Sequence, residues 1–306
     1  MVIFAGDVEI GQLQHISFFC TMLNDKHAYL IITHNEFEIL KLLISALDDV
    51  RNDVYVHIDK KVKHLPNLSV KKSRLFVIDK RIDVRWGHVS QIKSELLLFE
   101  RALKNGPYAF YHLISGTHLP LENQDFIHSF FQKYYNKNVF CNLKRKYGDY
   151  SEILKLHRIN LFLRYYASPN VLLSRTSQFL WKLFIAIQRE LGIIINDNKD
   201  AYWANNWCSL SHDAVKYIVD NKKNIINRYR WSFCGDEFFI PTELSKNACC
   251  VMERCDLLLF GIIERSNARV IEMSDYERMI NSGCLFARKF SVSNNDVVEA
   301  VIHKII

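Results

Sequence analysis

The residues that break regular structure are scarce: ten glycines and five prolines in 306 residues leave no room for a fibrous or disordered chain. No apolar run reaches the roughly 20 residues that a membrane-crossing helix needs. The opening MVIFAGDVEIGQLQHISFFCTML lacks a basic segment followed by a clean apolar stretch and a cleavage site. The expected location is therefore cytoplasmic. None of the eight cysteines forms a CxxC pair, and their spacing is not the dense framework of a small secreted domain, so buried thiols are expected. Without an internal repeat, a low-complexity tract or a Pro/Gly/Ser-rich linker, a single domain over 27–306 is the simplest organisation. Residues 1–26 fit the following pattern poorly and read as an N-terminal extension, with Met22 as an alternative start.

What is present is a folded-protein composition, 49% hydrophobic and 24% charged, with a formal charge of +7 that suits anionic partners. Nucleic acid, anionic lipid and nucleotide-sugar diphosphates all qualify. Tyr29–Ile32 is a short apolar run followed by the turn His34-Asn35. The spacing of Phe37, Leu40, Leu43, Ile44 and Leu47 then predicts a helix, with Asn35 as its cap and Glu38 completing a capping box. Strands are predicted at Val54–Ile58, Leu75–Ile78 and Tyr108–Ile114, with a helix from near Ser90 between the last two. Such alternation implies an α/β fold with a mostly parallel sheet flanked by helices. From about 144 to 191 the alternation gives way to a helical insertion rich in basic and aromatic residues, whose helix carries Phe179, Leu180, Leu183, Phe184 and Ile187.

Ligands of open α/β sheets bind outside the carboxyl ends of the strands. That rule selects His34-Asn35, His57-Ile58-Asp59 and the loop Ser115-Gly116-Thr117-His118-Leu119-Pro120-Leu121. Asp59 suits a nucleotide base or ribose, or equally a simple turn.

The ordered blocks YLIITHNEFEILKLLISAL, DVYVHIDKK, VRWGHVSQIKSELLLFERAL, FYHLISGTHLPL, YWANNWCSLSHDAVKYIV, CGDEFFIPTEL and NSGCLFARKFS resemble the Core-2/I-branching β-1,6-N-acetylglucosaminyltransferases and peptide O-xylosyltransferases, glycosyltransferase family 14, from about His27 to Phe290. The resemblance implies a GT-A-like Rossmann-type fold, an inverting mechanism, a UDP-sugar donor and no divalent cation. It places Glu237 as the base and Lys289 on the donor diphosphate. Arg269 is the expected second cation, with Arg265 as the alternative.

Chemistry supports those roles. Inverting transfer needs a carboxylate to take the acceptor's proton, and Phe233, Phe238 and Phe239 are expected to raise the pKa of Glu237 by desolvation. The departing diphosphate needs positive charge already in place, and no DxD motif ends a predicted strand. Taken alone, Arg288-Lys289 reads as a solvated surface pair.

Further substrate contacts are expected from Ser115, Gly116, His118, Trp203 and Asp236, with His34 and Asp59 on the nucleotide side. Trp203 is a candidate sugar platform, Trp207 reads as structural, and Ser90 as a helix cap. N-acetylglucosamine is the sugar the resemblance implies first, but His118 stands where the family pattern SGxDxPL has its acid, which leaves xylose or another sugar open. No residue is expected to ligate a metal.

The expected acceptor is a glycan, free or lipid-linked, in surface polysaccharide synthesis, and the absence of an anchor gives the chain a bacterial look. The basic, aromatic segment Lys144–Arg189 suggests contact with an anionic membrane; a helical lid packed on the sheet is the plainer alternative. The basic runs Lys60–Arg81 and Lys144–Arg158 also admit a nucleic-acid-associated protein, but no nucleic-acid motif accompanies them. A degenerate, sugar-nucleotide-binding relative is the remaining alternative.

Overall fold

A computed structural model describes residues 25–146, 153–195, 201–264 and 267–305. In chain order the strands are β1 (His27–Thr33), β2 (Asn52–Ile58), β3 (Arg74–Val77), β4 (Phe110–Ser115), β5 (Leu119–Pro120), β6 (Asn138–Phe140), β7 (Lys144–Lys146), β8 (Ala201–Trp203), β9 (Cys208–Leu210), β10 (Met252–Arg254), β11 (Leu259–Gly261), β12 (Ile263–Glu264), β13 (Asn267–Ala268) and β14 (Phe286–Arg288). The helices are α1 (Phe37–Ala46), α2 (Ser90–Leu103), α3 (Gln124–Gln132), α4 (Val171–Glu190), α5 (His212–Asp220), α6 (Lys222–Tyr229), α7 (Phe239–Leu244), α8 (Tyr276–Ile280) and α9 (Asn295–Ile305).

Seven strands form the central sheet in the order β10-β6-β9-β4-β1-β2-β3. β3, β2, β1 and β4 run parallel, β9 is antiparallel to β4 and β6, and β10 is parallel to β6. All seven residues of β2 are buried, as a parallel strand covered on both faces requires. Alternate side chains of β1 serve two cores. Tyr29 and Ile31 pack with Ile39, Leu40, Leu43 and Ile44 of α1, whereas Ala28 and Leu30 pack with Ile92, Leu96 and Phe99 of α2. Each fully buried side chain of this size contributes about 1.5–3 kcal/mol.

The chain passes from β1 outward to β2 and β3, then returns to the other side of β1 as β4. Strand order thus reverses between β1 and β4, and the loops after them open a crevice at that edge. A small sheet, β11-β14-β5, closes over it: the Phe290 amide donates to the Thr117 carbonyl at 3.0 Å and Leu121 to Leu285 at 2.8 Å.

Several local expectations give way to tertiary demands. The residue before α1 is Glu36, in the left-handed region (φ 53°), with no side-chain cap bond, so the expected Asn35 cap and capping box do not form. The Glu36 carboxylate instead accepts from Ser291 Oγ (2.8 Å) and the Val292 amide (3.0 Å), tying α1 to the C-terminal segment. Ser90 does not cap α2 either; its Oγ accepts the Arg85 amide at 2.8 Å. The helix of the insertion is α4, but its apolar stripe faces outward: Phe179, Leu183 and Ile187 are exposed. Six of the described cysteines are buried and free, and Cys249 is exposed.

Candidate active site

The candidate residues differ in how far their side chains are already committed to other groups. Asp59, directly after β2, is buried and already engaged: its Oδ1 accepts the Lys61 amide (2.8 Å), and its Oδ2 accepts Lys61 Nζ (2.7 Å) and the Val84 amide (3.2 Å). It anchors the 80s loop rather than offering a free carboxylate to a ribose. His34, after β1, is exposed. Partial burial lowers its pKa, against the opposing pull of Asp59, and the Lys289 and Lys61 cations add to the lowering.

The Ser115–His118 loop turns inward. A Cβ on Gly116 would lie 2.5 Å from Thr33 Oγ1, so only glycine allows this loop to press against β1. His118 is fully buried, where its Nδ1 accepts the Ser115 amide at 3.1 Å and lies 2.8 Å from Ser115 Oγ. Burial, and then the Arg288 charge, hold its pKa well below the usual range. The expected direct contact of His118 with sugar hydroxyls is corrected: a neutral imidazole staples the loop from inside. His118 and Trp207 border a cavity of about 10 Å³, room for one water and not for a sugar.

Glu237 lies in a single turn of 3-10 helix, Gly235–Glu237, that precedes α7. Its Oε2 accepts the Trp203 Nε1–H at 2.9 Å and faces Lys155 Nζ of the insertion at 3.7 Å. The carboxylate is one-third exposed, in reach of a substrate. The apolar wall expected around it is not there. Phe238 and Phe239 turn into the main core, and Phe233 joins a separate cluster with Leu163 and Cys234. Trp203, expected as a sugar platform, is half-buried and orients the carboxylate through its N–H.

The carboxyl that burial lifts is Asp236, to about 7, with the Glu237 charge as the second cause. Its Oδ2 accepts Gln91 Nε2 at 3.1 Å and its Oδ1 has no partner. Glu95, one turn beyond Gln91 on α2, is buried behind it and raised well above the usual range by burial and by Asp236. Asp236 thus faces inward, toward a second carboxyl, and does not meet a substrate. Between 3.8 and about 7 the unfolded chain has released this proton while the folded one retains it, so stability falls as pH rises through that window. Asp236→Asn abolishes the loss. The stability advantage of the variant over wild type should grow by about 2–3 kcal/mol between pH 5 and 7.5; denaturant midpoints giving a constant difference would reject this assignment.

The cations divide sharply. Arg269 is committed to carboxylates, reaching Asp275 Oδ1 and Oδ2 at 2.9 and 2.8 Å and Glu264 at 2.8 Å. The expected second phosphate contact is therefore not a free charge, and the alternative, Arg265, lies outside the described residues. Among the described residues, Lys289 has no side-chain partner, and neither does Arg288 beyond stacking its guanidinium 5.0 Å over the Trp207 ring. Arg288 Nε is buried without an acceptor, and burial pushes its pKa down to about 10. The sequence reading missed Arg288 because RK pairs are ordinarily solvated; the apolar LFA before it, leading a strand inward, was the available signal.

One short segment joins the two chemistries. Trp203 holds the base, Ala204 donates its amide to the Glu237 carbonyl (3.0 Å), and Trp207 lies under Arg288 at the start of β9. Because β9 is antiparallel, its start lies at the carboxyl edge of the parallel strands, beside the end of β4. A carboxylate open to solvent and two unpaired cations thus share one edge of the sheet.

Residues 27–254 match the family model described as Core-2/I-Branching enzyme. Xylosyltransferase 2 of Canis lupus familiaris is 22% identical over 236 residues, which cover 73% of this chain and 25% of that protein. The match therefore spans about a quarter of the length of that curated relative. Mouse xyloside xylosyltransferase 1, in its apo form, is similar with a TM-score of 0.38 and 8% identity, over 88% of this chain and 98% of that one.

Proposed function

Because the chain belongs to the Core-2/I-branching enzyme family and is a glycosyltransferase, we propose that it is an inverting, metal-independent enzyme that moves a sugar from a UDP-sugar to a glycan hydroxyl. The observation that carries this reading is the solvent-open Glu237 carboxylate, fixed by the Trp203 N–H at 2.9 Å, on the edge that also bears unpaired Arg288 and Lys289. In the step, the acceptor oxygen forms a bond to the anomeric carbon while the bond from that carbon to the diphosphate oxygen breaks. Glu237 takes the hydroxyl proton. UDP leaves with the bonding electrons, and its growing charge is met by Lys289 and Arg288, which need no reorganisation at that moment.

Metal independence rests on Arg288 and Lys289, two cations without side-chain partners among the described residues that can compensate the charge of a departing diphosphate. UDP-N-acetylglucosamine and UDP-xylose are the first donors to test, the second because the matched relative is named a xylosyltransferase. Surface polysaccharide synthesis on the cytoplasmic side is the role proposed with it. The test is a panel of UDP-sugars scored for donor hydrolysis and UDP binding, with and without excess EDTA. One donor should be consumed at the same rate in both conditions. UDP binding with no turnover of any donor would favour a degenerate relative, and loss of turnover in EDTA would overturn metal independence.

A further inference from the structure

Helix α4 turns most of its large apolar side chains away from the protein. Its inner side mixes polar and apolar contacts: Ser174 Oγ and Gln178 Nε2 donate to the Tyr166 carbonyl (2.8 and 3.0 Å), Gln188 Nε2 donates to the Ile159 carbonyl (2.9 Å), Ile185 is buried and Trp181 packs against Phe233. Its outer side is apolar, with Leu172, Phe179, Leu183 and Ile187 at 74%, 65%, 49% and 46% exposure. Twelve of the twenty-four exposed large apolar side chains among the described residues fall between Phe162 and Ile195, so the exposure is concentrated on one surface instead of scattered as on ordinary proteins.

Charge selects what covers this surface. Arg175, Lys182 and Arg189 are spaced by seven residues, which at 3.6 residues per turn aligns them along one flank of the apolar side. All three are exposed, and the helix contains a single acid, Glu190, at its last position. An apolar outer face with a basic border is the pattern of a helix lying in the headgroup region of a bilayer, its Lys and Arg reaching anionic headgroups. No helix among the described residues is long and apolar enough to cross a membrane. A protein partner would bury the apolar side equally well but gives no reason for the aligned cations.

We propose that the outer face of α4, with Phe162 and Ile193–Ile195 beside it, docks the protein on an anionic lipid bilayer. The same segment reaches the active site. Trp181 on the inner side of α4 packs on Phe233 at 5.4 Å, the Phe233 amide donates to the Lys155 carbonyl, and Lys155 faces Glu237. Docking is therefore linked to the base through a continuous chain of contacts. On the transferase reading given above, it favours an acceptor glycan carried on a membrane lipid.

The docking itself is tested without any assay of transfer. The full chain is sedimented with phosphatidylcholine vesicles and with vesicles of phosphatidylcholine and phosphatidylglycerol. Each Lys or Arg near an anionic surface adds about fivefold to partitioning, so three give about a hundredfold preference for the mixed vesicles at low salt. Arg175→Glu with Lys182→Glu should remove most of that preference, and Leu172→Ser with Phe179→Ser should remove binding to both. All four positions are exposed, so both variants should keep the wild-type circular dichroism and UDP affinity. Equal partitioning to the two vesicle types, or no partitioning, overturns the proposal. So does a dimer in solution that the Leu172→Ser, Phe179→Ser variant dissociates while vesicle binding is absent, which would make this face an interface between copies of the chain.

Discussion

Glu237→Gln should bind UDP as tightly as wild type and transfer sugar about 10²–10⁴-fold more slowly, the range that general-base catalysis supplies. The carboxamide keeps the size of the side chain, and its oxygen still accepts the Trp203 N–H that now bonds Oε2 at 2.9 Å, so the geometry is preserved. What disappears is the capacity to take a proton from the acceptor. The carboxylate has no role in holding the diphosphate, so the loss belongs in single-turnover transfer and not in a UDP titration. Asp236 cannot stand in for it, being buried behind Glu237 and bonded to Gln91. A Glu237→Gln enzyme that transfers within a few-fold of wild type would move the base elsewhere.

The second large effect is expected from the paired cations. Lys289→Ala and Arg288→Ala should each weaken UDP binding by about 10–100-fold, the worth of a charge-assisted hydrogen bond of about 1.5–3 kcal/mol. Arg288 is the sharper case. Its Nε is buried with no acceptor, an arrangement that costs stability in the free protein and is repaid when an anionic oxygen arrives. Removing it should therefore leave the thermal midpoint unchanged or raised while affinity falls. Arg269→Ala serves as the control: it strips the cation from Asp275, Glu264 and Glu272 and should lower stability without changing UDP affinity. Titrations of UDP into the three variants in EDTA decide the matter. Unchanged affinity in Arg288→Ala, with losses in both Lys289→Ala and Arg269→Ala, would restore the expected pairing of Lys289 with Arg269.

The regular elements near β1 were legible because their signals are local. Period-two and continuous apolar runs specify β1, β2 and β4, and 3.6-residue spacing specifies α1 and α2, whatever the rest of the chain does. Glu237 and Lys289 were selected from the sequence as positions in motifs, and the partners of Glu237 came only from the structure. The helix caps were not, because Glu36 is taken by Ser291 and Val292 from the far end of the chain, and no local rule anticipates a partner 255 residues away.

The surroundings of the site needed the tertiary structure for the same reason. Whether Asp236 or Glu237 is desolvated depends on Gln91 and Glu95 of another helix. Whether Arg288 or Arg269 is free for a phosphate depends on which one meets carboxylates across a hairpin. Periodicity in α4 likewise defines an apolar stripe but not the direction it faces. That was decided on the opposite side, where Ser174, Gln178 and Gln188 engage the carbonyls of Tyr166 and Ile159, Ile185 is buried and Trp181 packs on Phe233, leaving the stripe toward solvent. Local pattern thus determined the elements and the residue types available for chemistry. Which polar groups found partners, and which were left unpaired, depended on contacts between segments distant in sequence.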